Sequence, residues 1–281
     1  MTVFALEQTA PVPGALRSNT EQLVELSVDA LREGADVVVF PELAASGYVT
    51  DPEMVAAAAQ PLDGPLVGAL TALTARRGGL VAAGYAESSD GEYYNSVVLV
   101  GAEGPVLNYR KVHLFDKELD GFRPGDELPV VETEHGVIGM CVCYDLRFVE
   151  VLRSLSLRGA DVVIAPAAWT GGFDASIPPT GMVRQAEAAV VQANLDQVAV
   201  VAVSQAGNHP EQGVSTLGGS LAVDAFGDIV VGPLSRTAPD AARAVIDIQR
   251  GREARVRSPR IRPREDRRTD VYSVHYKEEV L

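Results

Sequence analysis

The sequence predicts an α/β protein, and three features favour this class. Short, uninterrupted runs of apolar residues, many of them valine, recur along the 281 residues. Segments with the apolar spacing of amphipathic helices lie between these runs. No Pro/Gly/Ser-rich linker, repeat or low-complexity stretch divides the chain. Uninterrupted apolar runs are typical of strands buried in a sheet that helices cover. We therefore expect a single domain over residues 1–281, with a mixed sheet or a pair of sheets between helices.

Four segments have the spacing expected of helices. In the first, NTEQLVELSVDALREG, Asn19 is placed to cap the N-terminus and Gly34 to end the helix. Its leucine and valine residues recur at mostly helical intervals, which gives the helix one apolar face. The predicted helices cover residues 19–34, 65–77, 146–160 and 180–194.

The apolar runs between these segments are predicted strands, because most of them are too short to form helices. Hairpin-like pairs are added to the helix–strand alternation, and the motif AFGDI at residues 225–229 is a plausible turn within one such pair. The predicted strands lie within residues 35–43, 79–87, 93–101, 106–110, 135–142, 161–169, 197–205, 217–232 and 243–248.

Composition restricts the class of protein and its partners. The net charge of −14 argues against nucleic acid as the main partner, because phosphate binding needs a basic face. The longest apolar stretches are shorter than the ~18 residues of a membrane span, and no signal peptide is evident. Two cysteines cannot build a disulfide framework. We therefore expect a cytoplasmic protein that does not bind a membrane.

Three predicted strands end at a residue whose side chain could take part in catalysis. DVVVFP is followed by Glu42, VLNYR by Lys111, and the run GVIGMCV by Cys143. Functional sites in α/β folds collect beyond the carboxyl ends of strands. A carboxylate can take the proton of a thiol, and an ammonium can stabilise a thiolate and later an oxyanion. If the three residues converge in space, they form a coherent nucleophilic site.

The two cysteines, Cys141 and Cys143, differ in their surroundings. Asp145 is placed to cap a helix that begins near Leu146, which would put Cys143 beside a helix N-terminus. The helix dipole and free N–H groups there would favour a thiolate. Cys141 lies inside the apolar run, which predicts a buried thiol without chemistry.

Other interpretations remain open on the residues alone. A cysteine in an apolar run is more often part of the core, and a glutamate or lysine at a strand end is more often a solvated charge. A zinc site would recruit both cysteines with His113 or His135, but the C-x-C spacing has no second cysteine pair. His113 could also form a Cys–His dyad, although a lone histidine near a strand end is more often structural.

At these positions the sequence resembles the nitrilase superfamily of carbon–nitrogen hydrolases, in its amidase-type branches. The likeness runs from FALEQ to Tyr272, and the family motifs occur in the expected order. The sequence departs from the family pattern at Val149, where proline is usual, and at Leu195 and Asp196, where glutamate and asparagine are common. The matching motifs are VVVFPELAASGY with Glu42, YRKVHLFD with Lys111, KELDGFRPG with Glu118, CYDLRFVE with Cys143, and APAAW with Trp169.

The resemblance implies a four-layer αββα sandwich that assembles into homodimers or larger homo-oligomers. It implies a catalytic triad of Glu42, Lys111 and Cys143, with Glu118 positioning the substrate. Tyr48, Tyr144 and Trp169 are implied to lie near the substrate and to narrow the cavity. No metal or organic cofactor is needed for this chemistry. The arginine-rich residues 250–268 could form a nucleic-acid arm. In a chain this acidic we instead expect the C-terminal extension, residues 250–281, to pair with an acidic surface at a subunit interface, and the resemblance supports this.

The function predicted on this basis is hydrolysis of a small, linear, aliphatic carboxamide to a carboxylic acid and ammonia, through a thioester on the cysteine. A nitrilase and an N-carbamoyl amidohydrolase are the alternatives within the family. A catalytically silent interaction protein on the same fold is the alternative from another class, although it gives Glu42, Lys111, Glu118 and Cys143 no function.

Overall fold

Two six-stranded sheets and seven α-helices account for most of the residues that the structure describes. The structure is a computed structural model and describes residues 1–170, 183–209 and 214–281. The helices are α1 (Leu16–Arg32), α2 (Pro52–Ala58), α3 (Pro65–Arg77), α4 (Glu118–Gly121), α5 (Val149–Leu157), α6 (Arg184–Asp196) and α7 (Ile248–Glu253). The strands are β1 (Thr2–Gln8), β2 (Val37–Val39), β3 (Leu80–Ser89), β4 (Glu92–Gly101), β5 (Gly104–Arg110), β6 (Val130–Thr133), β7 (Gly136–Met140), β8 (Val162–Ala167), β9 (Ala199–Ser204), β10 (Ala206–His209), β11 (Val214–Leu217), β12 (Leu221–Val223), β13 (Ile229–Val231), β14 (Asp240–Ile246), β15 (His275–Tyr276) and β16 (Glu279–Val280).

The strand order brings several strand ends to the same edges. The first large sheet has the order β14-β1-β2-β3-β4-β5, and the second has the order β13-β12-β9-β8-β7-β6. In the first, β1, β2 and β3 are parallel, and β5 runs in the same direction because β4 is antiparallel to both of its neighbours. In the second, β7, β8 and β9 are parallel. The ends of β2 and β5 therefore share one edge, and the ends of β7 and β8 share another.

Side-chain alternation along the strands separates two packed layers. Phe4 and Leu6 of β1 belong to a core cluster that also holds Ile138 and Ile164 of the second sheet. Ala5, between them in sequence, instead packs in a cluster with residues of α1 and α3. The first sheet thus contacts the second sheet on one face and helices on the other.

Helices α5 and α6 cover the second sheet in the same way, because their apolar residues join the core cluster of β7, β8 and β9. The result is the predicted αββα order of four layers. No helix within residues 1–170, 183–209 and 214–281 is long and apolar enough to cross a membrane.

The start of α1 differs from the prediction. The helix begins at Leu16 and not at Asn19, so Asn19 lies within its first turn. The Asn19 side chain is buried and bonds the backbone of Val12 in both directions and the carbonyl of Ala45. It ties the helix to neighbouring loops, and the prediction of an N-cap was wrong because sequence cannot show this tertiary demand. The predicted end is confirmed: Gly34, with a φ of 91°, directly follows the C-cap residue.

Several elements differ in extent from the predicted ones. The helix expected from residue 146 begins only at Val149, and the helix expected from residue 180 is described from Arg184 onward, while positions 180–182 lie outside the described residues. The AFGDI turn is confirmed between β12 and β13, with Gly227 at a φ of 87°. The elements that were not predicted are strands β1, β6, β10, β11, β15 and β16 and helices α2, α4 and α7.

The C-terminal extension packs against its own chain. Arg252 and Arg255 lie 2.8 and 2.7 Å from the carboxylate of Asp161. Arg264 donates to three backbone carbonyls at the C-terminal ends of α5 and α6, where cations are favoured. These arginines thus pair with a carboxylate and with helix C-termini of the same chain. A role of residues 250–281 between subunits stays a prediction.

The three departures from the family pattern lie on the two helices that cover the second sheet. Val149 and Leu195 are exposed. Asp196 is buried and pairs with Arg153 at 2.7 Å. Burial raises the pKa of Asp196 to about 6, although Arg153 and Arg264 oppose the rise. An arginine partner therefore accommodates the carboxylate at this position.

Candidate active site

Glu42, Lys111 and Glu118 meet in one buried cluster. Glu42 follows β2 after two residues, Lys111 directly follows β5, and Glu118 is the first residue of α4. Lys111 Nζ lies 2.7 Å from Glu42 Oε1 and 2.8 Å from Glu118 Oε1. All three side chains are fully buried. The structure therefore brings together the carboxylates and the ammonium that the sequence placed at separate positions.

Cys143 lies beside this cluster, at the end of the second sheet. It follows β7 by two residues, and the charges of Glu42, Lys111 and Glu118 all act on its thiol. Burial raises the pKa of Cys143 well above its usual value, and the charge of Glu42 adds to the rise, whereas Lys111 and a backbone hydrogen bond from Ala168 oppose it. The influence of a helix N-terminus, which would favour a thiolate, does not decide the protonation of this buried thiol. A neutral thiol needs a base at the moment of attack.

Lys111 stays charged in the cluster. Burial by itself would lower the pKa of Lys111, but the charges of Glu118 and Glu42 outweigh burial and raise it above its usual value. An ammonium has three donors, so it can hold both carboxylates and still donate to a third acceptor.

Glu118 is held by more partners than Glu42. Its carboxylate accepts hydrogen bonds from Lys111, from the Tyr48 hydroxyl at 2.8 Å and from the backbone N–H of Phe115 at 2.9 Å. Burial and the charge of Glu42 raise the pKa of Glu118 to about 7, although Lys111 opposes the rise. Tyr48 thus lies against the carboxylate cluster, where it orients Glu118.

The two oxygens of the Glu42 carboxylate differ in their partners. Oε1 accepts from Lys111 Nζ and from Asn95 Nδ2, both at 2.7 Å. Oε2 is buried and has no hydrogen-bond partner among the described residues. The backbone of Glu42 is fixed as well, because Gln205 Nε2 donates to the Glu42 carbonyl at 2.7 Å. A carboxylate with one free oxygen next to a neutral thiol can act as a general base.

The turn that carries Cys143 has a strained backbone. Cys143 has a φ of 49°, in the left-handed region that non-glycine residues rarely adopt. It starts a 3₁₀ helix over Cys143–Arg147, and α5 begins only at Val149. The expected α-helix N-terminus beside Cys143 is therefore replaced by a single short turn. Strained positions of this kind cluster at functional sites.

Asp145 has a different role from the predicted helix cap. Its buried carboxylate accepts from the Val142 N–H at 2.9 Å, from the Tyr109 hydroxyl at 2.7 Å and from the His113 N–H at 3.0 Å. These bonds join the turn that carries Cys143 to the end of β5, next to Lys111. Asp145 thereby fixes the spacing between two of the candidate functional residues.

His113 and Cys141 are engaged elsewhere. The His113 ring lies 2.8 Å from the Asp145 carboxylate and stacks on Phe148 with ring centroids 3.6 Å apart. Cys141 is fully buried in the core, as expected, and its N–H donates to Ile164. The described residues contain no group of three His, Cys, Asp or Glu side chains that could hold a metal ion.

Gly84 of β3 allows the loop that carries Glu42 to pack closely against the strand. A Cβ at Gly84 would lie 2.4 Å from both the Pro41 carbonyl oxygen and the Leu43 nitrogen. Leu43 itself has a φ of 48°, so the chain turns sharply directly after Glu42. A glycine inside a strand often marks such a close backbone approach, which is the signal by which the sequence could have indicated this position.

A small pocket opens onto Cys143. Phe115 and Tyr144 contact each other edge to face, with ring centroids 5.1 Å apart. The described residues that line the pocket with Cys143 are Phe115, Tyr144, Ala168, Trp169, Thr170 and Gln185. Two of the three predicted pocket aromatics, Tyr144 and Trp169, thus flank the thiol, while Tyr48 lies behind it against Glu118. Phe115 and Gln185 carried no sequence signal.

The arrangement supports attack of a thiol on a polarised carbon. Glu42 can accept the thiol proton, Lys111 can donate to a developing negative charge, and aromatic side chains line the pocket beside the thiol. Comparison with known proteins also supports a hydrolase. The chain matches the carbon-nitrogen hydrolase family over residues 4–256.

Individual relatives and structures are similar to the chain over most of its length. An (R)-stereoselective amidase from Pseudomonas sp is 36% identical over 213 residues, which is 76% of this chain and 73% of the relative. A nitrilase from Pyrococcus abyssi is 31% identical over 242 residues, which is 85% of this chain and 86% of the relative. The crystal structure of an amidase from Nesterenkonia sp. has a TM-score of 0.79 at 22% identity, and the match covers 96% of this chain and 94% of that chain. The structural match shows a shared fold.

Proposed function

The chain belongs to the carbon–nitrogen hydrolase family, and on that premise we propose that it hydrolyses a short, neutral, linear carboxamide to a carboxylic acid and ammonia through a thioester on Cys143. The observation that carries the proposal is that Glu42 Oε2 has no hydrogen-bond partner in the part of the chain that the structure describes, while Lys111 and Asn95 donate to the other oxygen. This geometry provides one base, one nucleophile and one cation for an acyl-transfer reaction.

Acylation begins with the neutral thiol. Glu42 takes the proton of Cys143 as the sulfur attacks the amide carbon, and Lys111 Nζ and the backbone N–H of Tyr144 stabilise the oxyanion. Glu42 then passes this proton to the amide nitrogen, the C–N bond breaks, and ammonia leaves. Because Glu42 becomes neutral as the sulfur becomes charged, this transfer activates the buried thiol, whose pKa burial raises, without adding a net charge to the cluster.

Deacylation uses the same base a second time. Glu42 accepts a proton from water, whose oxygen attacks the thioester carbon. The tetrahedral intermediate collapses, the C–S bond breaks, and Cys143 regains the proton from Glu42. The sum of the two halves is amide plus water to carboxylic acid plus ammonia.

An amide suits this proton transfer better than a nitrile does. Expelling ammonia from a tetrahedral intermediate needs an acid close to the nitrogen, and the Glu42 carboxyl, once protonated by Cys143, is that acid. The residues after the nucleophile, YDLRF, also resemble amidase-type members, whereas nitrilases usually carry a tryptophan–glutamate pair there. The relative at 36% identity is named an amidase and the one at 31% a nitrilase.

The experiment that tests the reaction is ammonia release from propionamide, propionitrile, benzonitrile and an N-carbamoyl amino acid. We expect propionamide to have the highest kcat/KM, because the aromatic walls favour an acyl group of a few carbons. Faster conversion of either nitrile would replace the amidase assignment by a nitrilase. Faster release of ammonia from the N-carbamoyl amino acid would indicate an N-carbamoyl amidohydrolase. No release from any of the four would favour a catalytically silent protein.

The pocket also predicts the charge of the substrate. The described lining residues of the pocket are uncharged, and residues 171–182 and 210–213 contain no lysine, arginine or histidine in their sequence. A substrate carboxylate in this pocket would thus have no cationic partner among the described lining residues. We expect kcat/KM for butyramide to exceed that for succinamate, which carries a carboxylate in place of the methyl group, by at least ~100-fold.

Comparable kcat/KM values for butyramide and succinamate would contradict the neutral-substrate assignment and would leave the amidase assignment intact. The measurement is steady-state ammonia release at pH 8 with both compounds at matched concentrations.

Gly84→Ala is expected to reduce kcat by at least ~100-fold, because the added methyl group collides with the backbone on both sides of Glu42 and moves its carboxylate away from the thiol. Gly68→Ala is the matched control: it lies in α3 with open space around its Cβ position. Ammonia release should be unchanged in the control. Wild-type kcat in Gly84→Ala would mean that the loop tolerates displacement, and the close approach would then have no bearing on the base.

A further inference from the structure

Asn95 lies at the centre of the buried cluster, although its sequence context, YYNSVVLVG, indicates only a strand. It belongs to β4 and is fully buried. Its Nδ2 lies 2.7 Å from Glu42 Oε1 and 3.4 Å from Glu118 Oε1. One amide group therefore reaches both carboxylates that share Lys111.

The chemistry of the cluster determines the orientation of this amide. An inverted Asn95 would place Oδ1 against two carboxylate oxygens, which carry negative charge, and would remove a donor from each. An aspartate at this position would add a third carboxylate to a cluster with a single ammonium, Lys111. An uncharged side chain that donates toward both glutamates therefore fits this position.

Asn95 makes the two oxygens of Glu42 unequal. Oε1 accepts two hydrogen bonds, from Lys111 and Asn95, whereas Oε2 has no partner among the described residues. An oxygen that already accepts two charge-assisted or strong hydrogen bonds is a poorer proton acceptor than a free one. The terminal torsion of a glutamate is broad and two-fold, so two donors on one oxygen also hold the carboxylate plane in one orientation.

We propose that Asn95 is a positioning residue that holds Glu42 Oε1 and thereby reserves Oε2 as the oxygen that takes the proton of Cys143. The inference rests on the proposed function, in which Glu42 is the base. It extends that function by naming the residue that decides which atom accepts the proton. Asn95 acts through Glu42 and contacts neither substrate nor sulfur in this role.

A purely structural role for Asn95 predicts a different result. Its backbone carbonyl accepts the Lys111 N–H at 2.8 Å, and that bond persists whatever the side chain is. If the side chain only filled space, its replacement would lower activity equally at every pH, or not at all. If it sustains the charge on the carboxylate pair, its loss changes the pH dependence.

The test uses Asn95→Leu and Asn95→Asp, with Asn108→Leu as the matched control. Asn108 donates at 2.9 Å to a different buried carboxylate, that of Glu87, which also pairs with Arg110. The three variants therefore remove the same kind of contact from a catalytic and a non-catalytic carboxylate. The readouts are the pH profile of kcat with propionamide and the pH dependence of Cys143 alkylation by iodoacetamide, with the labelled cysteine identified by mass spectrometry.

We expect Asn95→Leu to lower kcat by ~10- to 100-fold and to move the acidic limb of both profiles to higher pH by about one unit, because the ionised carboxylate pair loses a donor. KM should change less than about three-fold. Asn95→Asp should lose more activity at high pH and regain part of it at low pH, where the introduced carboxyl is protonated and donates again. Asn108→Leu should leave both limbs in place.

Acidic limbs that do not move in either Asn95 variant would overturn the proposal, whatever the loss of kcat. If Asn95→Leu fails to fold, Asn95→Asp still tests it, since recovery at low pH requires a donor at that position. Should the wild-type enzyme release no ammonia from any amide, the proposed function fails, but the alkylation profile still reports proton transfer from Cys143 and decides the role of Asn95 separately.

Discussion

Cys143→Ala is expected to abolish ammonia release from propionamide, whereas Cys141→Ala keeps most of it. Cys143 lines the pocket and lies within the field of Glu42 and Lys111. Cys141, two residues earlier, is fully buried in the core. Removing a nucleophile from a site of this kind costs at least ~10⁴-fold in kcat. Losing one buried sulfur atom from the core costs about 1 kcal/mol of stability, so the Cys141 variant should unfold a few degrees earlier and remain active.

The measurement is the steady-state rate of ammonia release, together with a thermal unfolding curve for each variant. A comparable loss of activity in both folded variants would point to a paired role of the cysteines, as in a metal or redox site. Retained turnover in Cys143→Ala would remove the thioester from the mechanism.

Lys111→Met is expected to lower both activity and stability by large amounts. The ammonium is the charge that lies between Glu42 and Glu118, and all three groups are fully buried. Removing one partner of a buried ion pair leaves an uncompensated charge, which costs about 3–5 kcal/mol. Independently of this loss of stability, removing a donor to the oxyanion lowers kcat by ~10²- to 10³-fold. At a strand end in solvent the same replacement would leave stability unchanged, so the predicted loss follows from the complete burial of Lys111.

Two comparisons make this prediction specific. Lys117→Met removes another of the three lysines, but from an exposed position, and should change neither property. Combining Lys111→Met with Glu118→Gln removes one charge of each sign, and we expect it to recover part of the lost stability in urea unfolding but none of the activity. A Lys111→Met protein as stable as the wild type would show that the ammonium does not hold the carboxylates together.

Sequence patterns determined the class of the fold and the positions of most of its strands. Uninterrupted runs such as VVV at residues 37–39 can be buried only where both faces of a strand are covered, and the structure buries them between helices and a second sheet. Side-chain type and position at strand ends made Glu42, Lys111 and Cys143 candidates, and the resemblance to the family favoured them over solvated charges and a core cysteine. Local information suffices for the strands because burial of apolar residues is encoded in short stretches of sequence.

The partners of the polar residues depended on tertiary structure. Asn19 and Asp145 both have side chains typical of helix caps, but Asn19 bonds a distant loop at Ala45 and Asp145 accepts from Tyr109 of β5. Asn95 gave no signal, because a polar residue inside a strand acquires its meaning only from the carboxylates that face it across the core. A sequence pattern cannot contain this information, since the contacts join residues 53 and 36 positions apart.

The protonation state of the site also depended on tertiary structure. The sequence predicted a helix N-terminus beside Cys143 that would favour a thiolate, but it does not contain the cost of burial. The folded chain buries the thiol next to Glu42, so the pKa of Cys143 rises. By itself the sequence determined the fold class and which residues are able to react; only the tertiary structure decided which of them are charged and which oxygen is free to accept a proton, because desolvation and charge–charge interactions depend on distances that the fold alone sets.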